Sequence, residues 1–351
     1  LGTTWQIVDD FAFAPPEPTF GASLAVDSAG NVYAAGLGKQ GTMKGIVRKS
    51  ENGGTSWTNV AWDSATLPND AAADSAGNVY VATGANGGRV LRKSSNGGDT
   101  WSDLDTIPMN SSNPNEPCNT GFVGIGANDV IAFGASCDLS GWIVRKSTDG
   151  STFQDAFGYQ GLPAMIARME DVGVGPGGEV FATGSSQDAA GAAHWTTVTE
   201  GAATGTVSDD FQIAAGQSAN ARSFSAGEGS LMVVGYAADA TGTKAYLRRL
   251  EGGTWSTIDT FDSHGHVAVQ VGNQIVVAGN VAENGIDKVV TRISTNGGTS
   301  FAPLDDYQYV AGKHSRSTGL ASDPQGNVYA AVGAQDADDV NRWIIRKLSC
   351  Q

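Results

Sequence analysis

Seven copies of one unit, four short apolar runs in each copy, and two chain ends that complete one another predict an all-β chain. The expected fold is a single seven-bladed β-propeller of four-stranded antiparallel blades, its N-terminal strand completing the last blade. The unit reads close to Ala-x-Asp-Ser-Ala-Gly-Asn-Val-Tyr-x-Ala-x-Gly, then a variable loop, then x-Val-Arg-Lys-Ser-x-Asn-Gly-Gly-x-x-Trp. Its fullest forms run from Ser23 to Trp57 and from Ala71 to Trp101. Weaker copies lie around Gly121 to Phe153, Asp171 to Val207, Arg222 to Trp255 and His266 to Phe301, and the last starts near Gly319. Aligned on the apolar residue after the Gly-Asn turn, they fall at Val32, Val79, Val130, Val180, Leu231, Ile275 and Val328, a period near fifty.

Each element follows from local chemistry. Asp27-Ser28-Ala29-Gly30 turns the chain between the first two strands of a blade, and Glu51-Asn52-Gly53-Gly54 between the last two. In the second turn Asn52 and Asn96 bond their own backbone, the glycines accept positive φ, Ser50 and Ser94 cap free amides, and Trp57 and Trp101 bury a ring beside the next blade. Repetition makes this Gly-rich turn scaffold, without the strand-to-helix context of a phosphate loop. The basic pairs Arg48-Lys49, Arg92-Lys93, Arg145-Lys146, Arg248-Arg249 and Arg346-Lys347, with Arg292, recur before that turn and are read as bonding turn carbonyls or acidic neighbours. The whole chain, 1–351, forms one domain, with blade cores near 20–60, 67–104, 118–156, 168–210, 219–258, 263–304 and 316–349. The last copy lacks its fourth strand after Leu348, and the opening residues 1–8, with Trp5, resemble the missing piece. Closure of this kind leaves no bare inner edge.

The formal net charge is −15, which argues against nucleic-acid and anionic-membrane partners. The longest apolar runs, such as Leu231-Met232-Val233-Val234, are far too short to span a bilayer. Cys118 and Cys137 flank a turn at Ala127-Asn128-Asp129 and are expected to face each other as a disulfide, while Cys350 has no evident partner. A first residue other than Met and a disulfide together suggest a monomer that is secreted, periplasmic or held at the cell surface.

The Ser-x-Asn/Asp-Gly-Gly-x-Thr/Ser-Trp/Phe turns resemble the Asp-box, or BNR-like, repeat of sialidases, xyloglucan-cleaving enzymes, sortilin-type receptors and photosystem assembly factors. The Asp-x-x-Gly-Asn-Val-Tyr hairpins are similar to secreted bacterial propeller repeats. This resemblance covers nearly the whole chain and implies architecture. Because several of those families are directed at glycans, it also suggests an extracellular glycan as ligand.

If the repeat is scaffold, function is expected where one copy departs from it, on the loops leading into the first strand of each blade. At the position of Ser23 the other copies show Asp70, Gly121, Asp171, Arg222, His266 and Gly319. Nearby stand Arg168, Glu170, His264, Tyr307, Tyr309, His314 and Arg316, mostly in blades four to seven, whereas His194 beside Trp195 reads as a packed or edge residue. A glycoside hydrolase would draw its two carboxylates from Asp70, Asp171 and Glu170. A polysaccharide lyase would use His266 or Tyr309 as base, with Arg222 or Arg316 neutralising a uronate. A sialidase would use Arg168, Arg222 and Arg316 with Tyr307 or Tyr309, but its opening Arg-Ile-Pro is absent. His264 and His314 complete the binding set. His264-Gly265-His266 could chelate a metal only with a third ligand such as Asp262 or His314, so no metal or cofactor is assigned. Calcium is the ion that so acidic a surface would draw, at no particular position. The competing class is a non-catalytic, protein-binding or structural propeller that works through its rim.

Overall fold

The Asp27 carboxylate shows how each hairpin is fixed by its own sequence. Oδ1 accepts the amides of Ala29 and Asn31, and Oδ2 accepts the Asn31 side-chain amide and the Tyr33 hydroxyl. The same clasp returns at Asp74, Asn78 and Tyr80 and at Asp323, Asn327 and Tyr329. Gly30, Gly77 and Gly326 carry the positive φ that closes these turns. At the other turn Ser50 Oγ accepts the Gly54 amide and Asn52 Oδ1 accepts the Ser56 amide, with φ of 66° and 92° at Gly53 and Gly54. Ser94–Asn96 and Ser294–Asn296 repeat it.

The computed structural model describes residues 2, 4–85, 88–108, 120–137, 141–163, 165–201, 204–227 and 230–350. Seven four-stranded antiparallel sheets form the blades of a seven-bladed propeller. Blade 1 runs Thr19–Val26, Val32–Gln40, Thr42–Ser50, Thr58–Asn59. Blade 4 runs Ala167–Val174, Val180–Gln187, Ala193–Thr199, Thr206–Phe211, and blade 5 runs Ala219–Gly227, Ser230–Asp239, Gly242–Glu251, Thr254–Phe261. The last blade takes Ser315–Ser322, Val328–Gln335 and Asn341–Leu348 from the C-terminal end and Trp5–Phe11 from the N-terminal end, with Trp5 opposite Leu348. By packing, the chain divides into two compact units. One comprises residues 1–83, 92–103 and 269–351, and the other residues 84–91 and 104–268. No helix among the described residues is long and apolar enough to cross a membrane.

Tryptophans wedge neighbouring blades apart. In the first unit Trp343 of blade 7 packs with Leu24, Ala34 and Ile46 of blade 1. In the second, Trp142 of blade 3 packs with Ala167 and Met169 of blade 4, and Trp195 of blade 4 with Ala219 and Ala221 of blade 5. Trp57 leans the other way from its expected direction. Its indole N–H donates to the Val8 carbonyl on the strand Trp5–Phe11, so the ring covers the preceding blade. The repeated arginines do meet acidic neighbours, across blades: Arg48 with Asp9, Arg145 with Asp105, Arg248 with Asp209 and Arg346 with Asp305.

The register corrects the alignment of the first strands. Ser23 lies opposite Ala35, three places beyond the Val26–Val32 pair. The same place belongs to Asp171, opposite Thr183, and to Gly319, opposite Ala331. In blade 5 it belongs to Ser223, opposite Val234, and in blade 3 to Phe122, opposite Gly134. Arg222 and Gly121 were each expected there and stand one residue away. The first strands of blades 1, 4, 5 and 7 share a bulge at Ala22, Glu170, Arg222 and Thr318. The slip in blade 5 comes from a turn one residue shorter, Ala226 pairing with Leu231 where Val26 pairs with Val32, and in blade 3 Ile131 rather than Val130 takes the place of Val32. Cys118 and the Cys137 side chain lie outside the described residues, so the expected disulfide does too. Cys350 is exposed and free.

Candidate functional site

A bulge adds one residue to a strand and re-aims its side chain, and next to active sites that is its common use. In the second unit two such residues meet. Arg222 Nη1 donates to Glu170 Oε2 at 2.9 Å, and Nη2 donates to the Tyr236 hydroxyl at 3.2 Å. Its guanidinium carbon stands 5.3 Å from the Tyr236 ring centre. His264, the first residue of the strand His264–Val271, stacks on Tyr236, the ring centroids 4.8 Å apart with 18° between the planes. Burial opposes the charge on Arg222, but Glu170 and Tyr236 outweigh it and hold the guanidinium above its ordinary pKa. Arg222 and Glu170 are about equally half-buried, at 32% and 29% exposure, so the pair is neither sealed nor fully solvated.

Around this row the other expected residues take different parts. Asp171 turns away from it: its carboxylate accepts the amides of Val172 and Phe224, at 2.7 Å each, stapling blade 4 to blade 5. Arg168 is exposed on the same strand as Glu170, and His266 is half-buried two residues beyond His264. Tyr236 was missed from the sequence because it sits in the second strand, inside the apolar run that looked purely structural.

In the first unit, Asp70 accepts the Ser23 hydroxyl at 2.7 Å and thereby joins blade 2 to blade 1. His314 and Arg316 converge on one carboxylate: Asp287 Oδ2 lies 3.1 Å from His314 Nδ1 and accepts from Arg316 Nε at 2.6 Å. Tyr309 donates to Asp10 at 2.7 Å, and Arg342 donates to the other oxygen of Asp10. Tyr307 packs beneath Arg346, whose guanidinium carbon is 3.7 Å from the ring centre, and burial pushes the phenol up to about 12. Both tyrosines thus face the third and fourth strands of blade 7 rather than the lead-in to its first strand. His194 lies between Asp188 and Asp210, on the outer side of blade 4. Among the described residues no three His, Cys, Asp or Glu side chains are grouped to hold a metal ion.

Searches against protein-family profiles and curated proteins find no match for this chain. Solved structures do match along nearly its whole length. A YCF48 structure bound to a D1 peptide aligns over 99% of this chain and 97% of its own at 11% identity, with a TM-score of 0.61. A PL25 ulvan lyase bound to -[GlcA(1-4)Rha3S]- aligns over 96% and 95% at 11% identity, TM-score 0.62. An α-L-arabinofuranosidase from Fusarium graminearum, in complex with an iminosugar inhibitor, aligns over 99% and 98% at 12% identity, TM-score 0.55. The likeness is one of fold.

Proposed function

We propose that this protein acts on an extracellular acidic polysaccharide by β-elimination, with Arg222, Tyr236 and His264 as its working side chains. The reading is carried by one observation, a guanidinium, a phenol and an exposed imidazole in direct succession, from the first and second strands of blade 5 to the start of the first strand of blade 6. Hydrolysis is less well served. It needs two carboxylates facing across a sugar, whereas Asp171 is engaged by backbone amides and Glu170 by Arg222.

In the proposed reaction Arg222 neutralises the uronate carboxylate, so that charge arriving there as the C5 proton leaves is stabilised. His264 takes that proton; the C5–H electron pair forms the C4–C5 double bond, and the C4–O glycosidic bond breaks. The Tyr236 hydroxyl gives its proton to the departing oxygen, which becomes the new reducing end. Proton exchange with solvent then restores both side chains. The net charge of −15 slows a polyanion's approach, but distant carboxylates are screened beyond about 8 Å at physiological salt. Contact with one guanidinium is therefore a local matter. The lyase and arabinofuranosidase among the fold's relatives lend support to a glycan ligand, and export from the cell is part of the proposal.

The test is incubation with a panel of uronate-containing and neutral polysaccharides, following the ultraviolet absorbance of unsaturated uronate. Turnover on an acidic polymer is expected, and His264→Ala and Tyr236→Phe should each lower it about 10²–10⁴-fold with an unchanged melting temperature. New reducing ends without unsaturated product would overturn the elimination. Silence in turnover and binding on every glycan would overturn the glycan reading in favour of a protein-binding propeller.

A further inference from the structure

One position of the third strand holds a buried tryptophan in three blades and an arginine in a fourth. Trp142 stands five residues before Ser147 of its turn, and Arg89 stands five residues before Ser94 of the matching turn. Trp195 shares the register of Trp142, since it lies opposite Ser185 as Trp142 lies opposite Ser136. Trp343, opposite Gly333, holds the same place in blade 7. All three tryptophans are at most 1% exposed.

Arg89 is half-buried at this wedge position, and its Nε is buried with no hydrogen-bond partner among the described residues. Room for it is made by a glycine: a Cβ on Gly84 would collide with Arg89 Nη1. Gly88, just before it, is tucked against the Ile107 carbonyl with no space for a side chain either. Burial is the influence that moves the Arg89 pKa, and it moves it down, with no carboxylate among the described residues acting against it. Other arginines of the same unit are treated differently, for Arg145, Arg222 and Arg248 each rest on a carboxylate. Taking a guanidinium from water without a counter-charge costs free energy that a tryptophan at the same place would not.

We infer that Arg89 binds an oxyanion of the ligand, a uronate carboxylate or a sulfate ester, in the planar fork of its guanidinium. Only the ligand class rests on the proposed elimination; the anion site itself does not. Arg89 is the second residue of the strand Gly88–Ser94.

The test is thermal melting of the wild type, Arg89→Met and Arg89→Lys in sodium sulfate, sodium glucuronate and sodium chloride at matched ionic strength. In chloride, Arg89→Met should melt at or above the wild type, because a half-buried charge that no carboxylate among the described residues offsets has been removed. Sulfate or glucuronate should raise the wild-type midpoint saturably, Arg89→Lys partly and Arg89→Met not at all, and the more effective anion distinguishes ester from carboxylate. His264→Ala should keep the full response, which separates this site from the proposed catalytic row. The inference is overturned if Arg89→Met melts well below wild type in all three salts, the mark of a structural arginine. It is also overturned if the wild type responds to neither anion, or if Arg89→Met responds as the wild type does.

Discussion

Arg48 and Asp9 lie 39 residues apart and meet as a two-pronged ion pair, Nε and Nη2 donating to the two carboxylate oxygens at 3.0 and 3.1 Å. The pair ties the N-terminal strand to blade 1, while backbone pairing ties it to blade 7. Burial nonetheless leaves the Asp9 pKa above its ordinary value, so the carboxylate depends on its arginine. Arg48→Met should therefore cost about 3–5 kcal/mol by urea denaturation, the cost of a buried charge stripped of its partner. Arg48→Met combined with Asp9→Leu should recover most of that loss. A double variant as unstable as the single one would mean that the clasp is not the cause.

The hairpin carboxylates should be nearly as sensitive. Asp74 accepts both amides of Asn78 and the Tyr80 hydroxyl, all from within one turn. Asp74→Ala leaves those donors unsatisfied and is expected to cost about 3 kcal/mol. A loss below about 1 kcal/mol would show that water replaces the carboxylate freely.

Two glycines make a matched pair. A Cβ on Gly36 would press into the Phe20 carbonyl and stand 3.0 Å from Trp343 Cζ3, where the blade 7 wedge closes on blade 1. One on Gly333 would meet nothing within 4 Å. Gly36→Ala should destabilise by roughly 1–3 kcal/mol, and Gly333→Ala should fall within about 0.5 kcal/mol of the wild type. Equal effects would place the strain elsewhere.

Acid unfolding should separate two kinds of carboxylate. At Asp287 burial works to raise the pKa, but Arg316 and His314 outweigh it, and the folded value lies below the usual 3.8. Its stabilising contribution is then complete above about pH 4 and is lost as pH falls through the folded value. At Asp209 burial prevails over Arg248 and the folded value is raised. The folded state there holds its proton longer, so stability falls as pH rises from 3.8 toward that raised value. Melting curves across the acid range should show a shallower acid limb for Asp287→Asn. For Asp209→Asn they should lose the decline above 3.8, and slopes of the same sign in both variants would contradict the assignment.

Much of the architecture was legible because its causes are local. Asp27, Asn31 and Tyr33 close a turn with atoms from seven consecutive residues, and such a motif announces itself wherever it recurs. The closing strand was legible for a related reason, since residues around Trp5 supply what the last copy lacks after Leu348. The site was less so. Tyr309 and Arg222 were singled out together, yet one pairs with Asp10 in the first unit and the other with Glu170 in the second. The alignment was anchored on the residue after the first turn, and that turn is one residue shorter in blade 5, so Arg222 was matched with Asp171 when it shares the place of Glu170.

By itself, then, the sequence determined the blade, its number of copies and the way the ring is completed, because turns and alternating strands are set by neighbours a few residues apart. Tertiary structure alone decided which side chains meet: that Asp70 and Asp171 staple blades together, and that Tyr236 joins Arg222 and His264. Those outcomes depend on register and on packing between blades. Both are fixed by contacts between residues far apart in the chain, where one bulged residue changes the direction of a side chain.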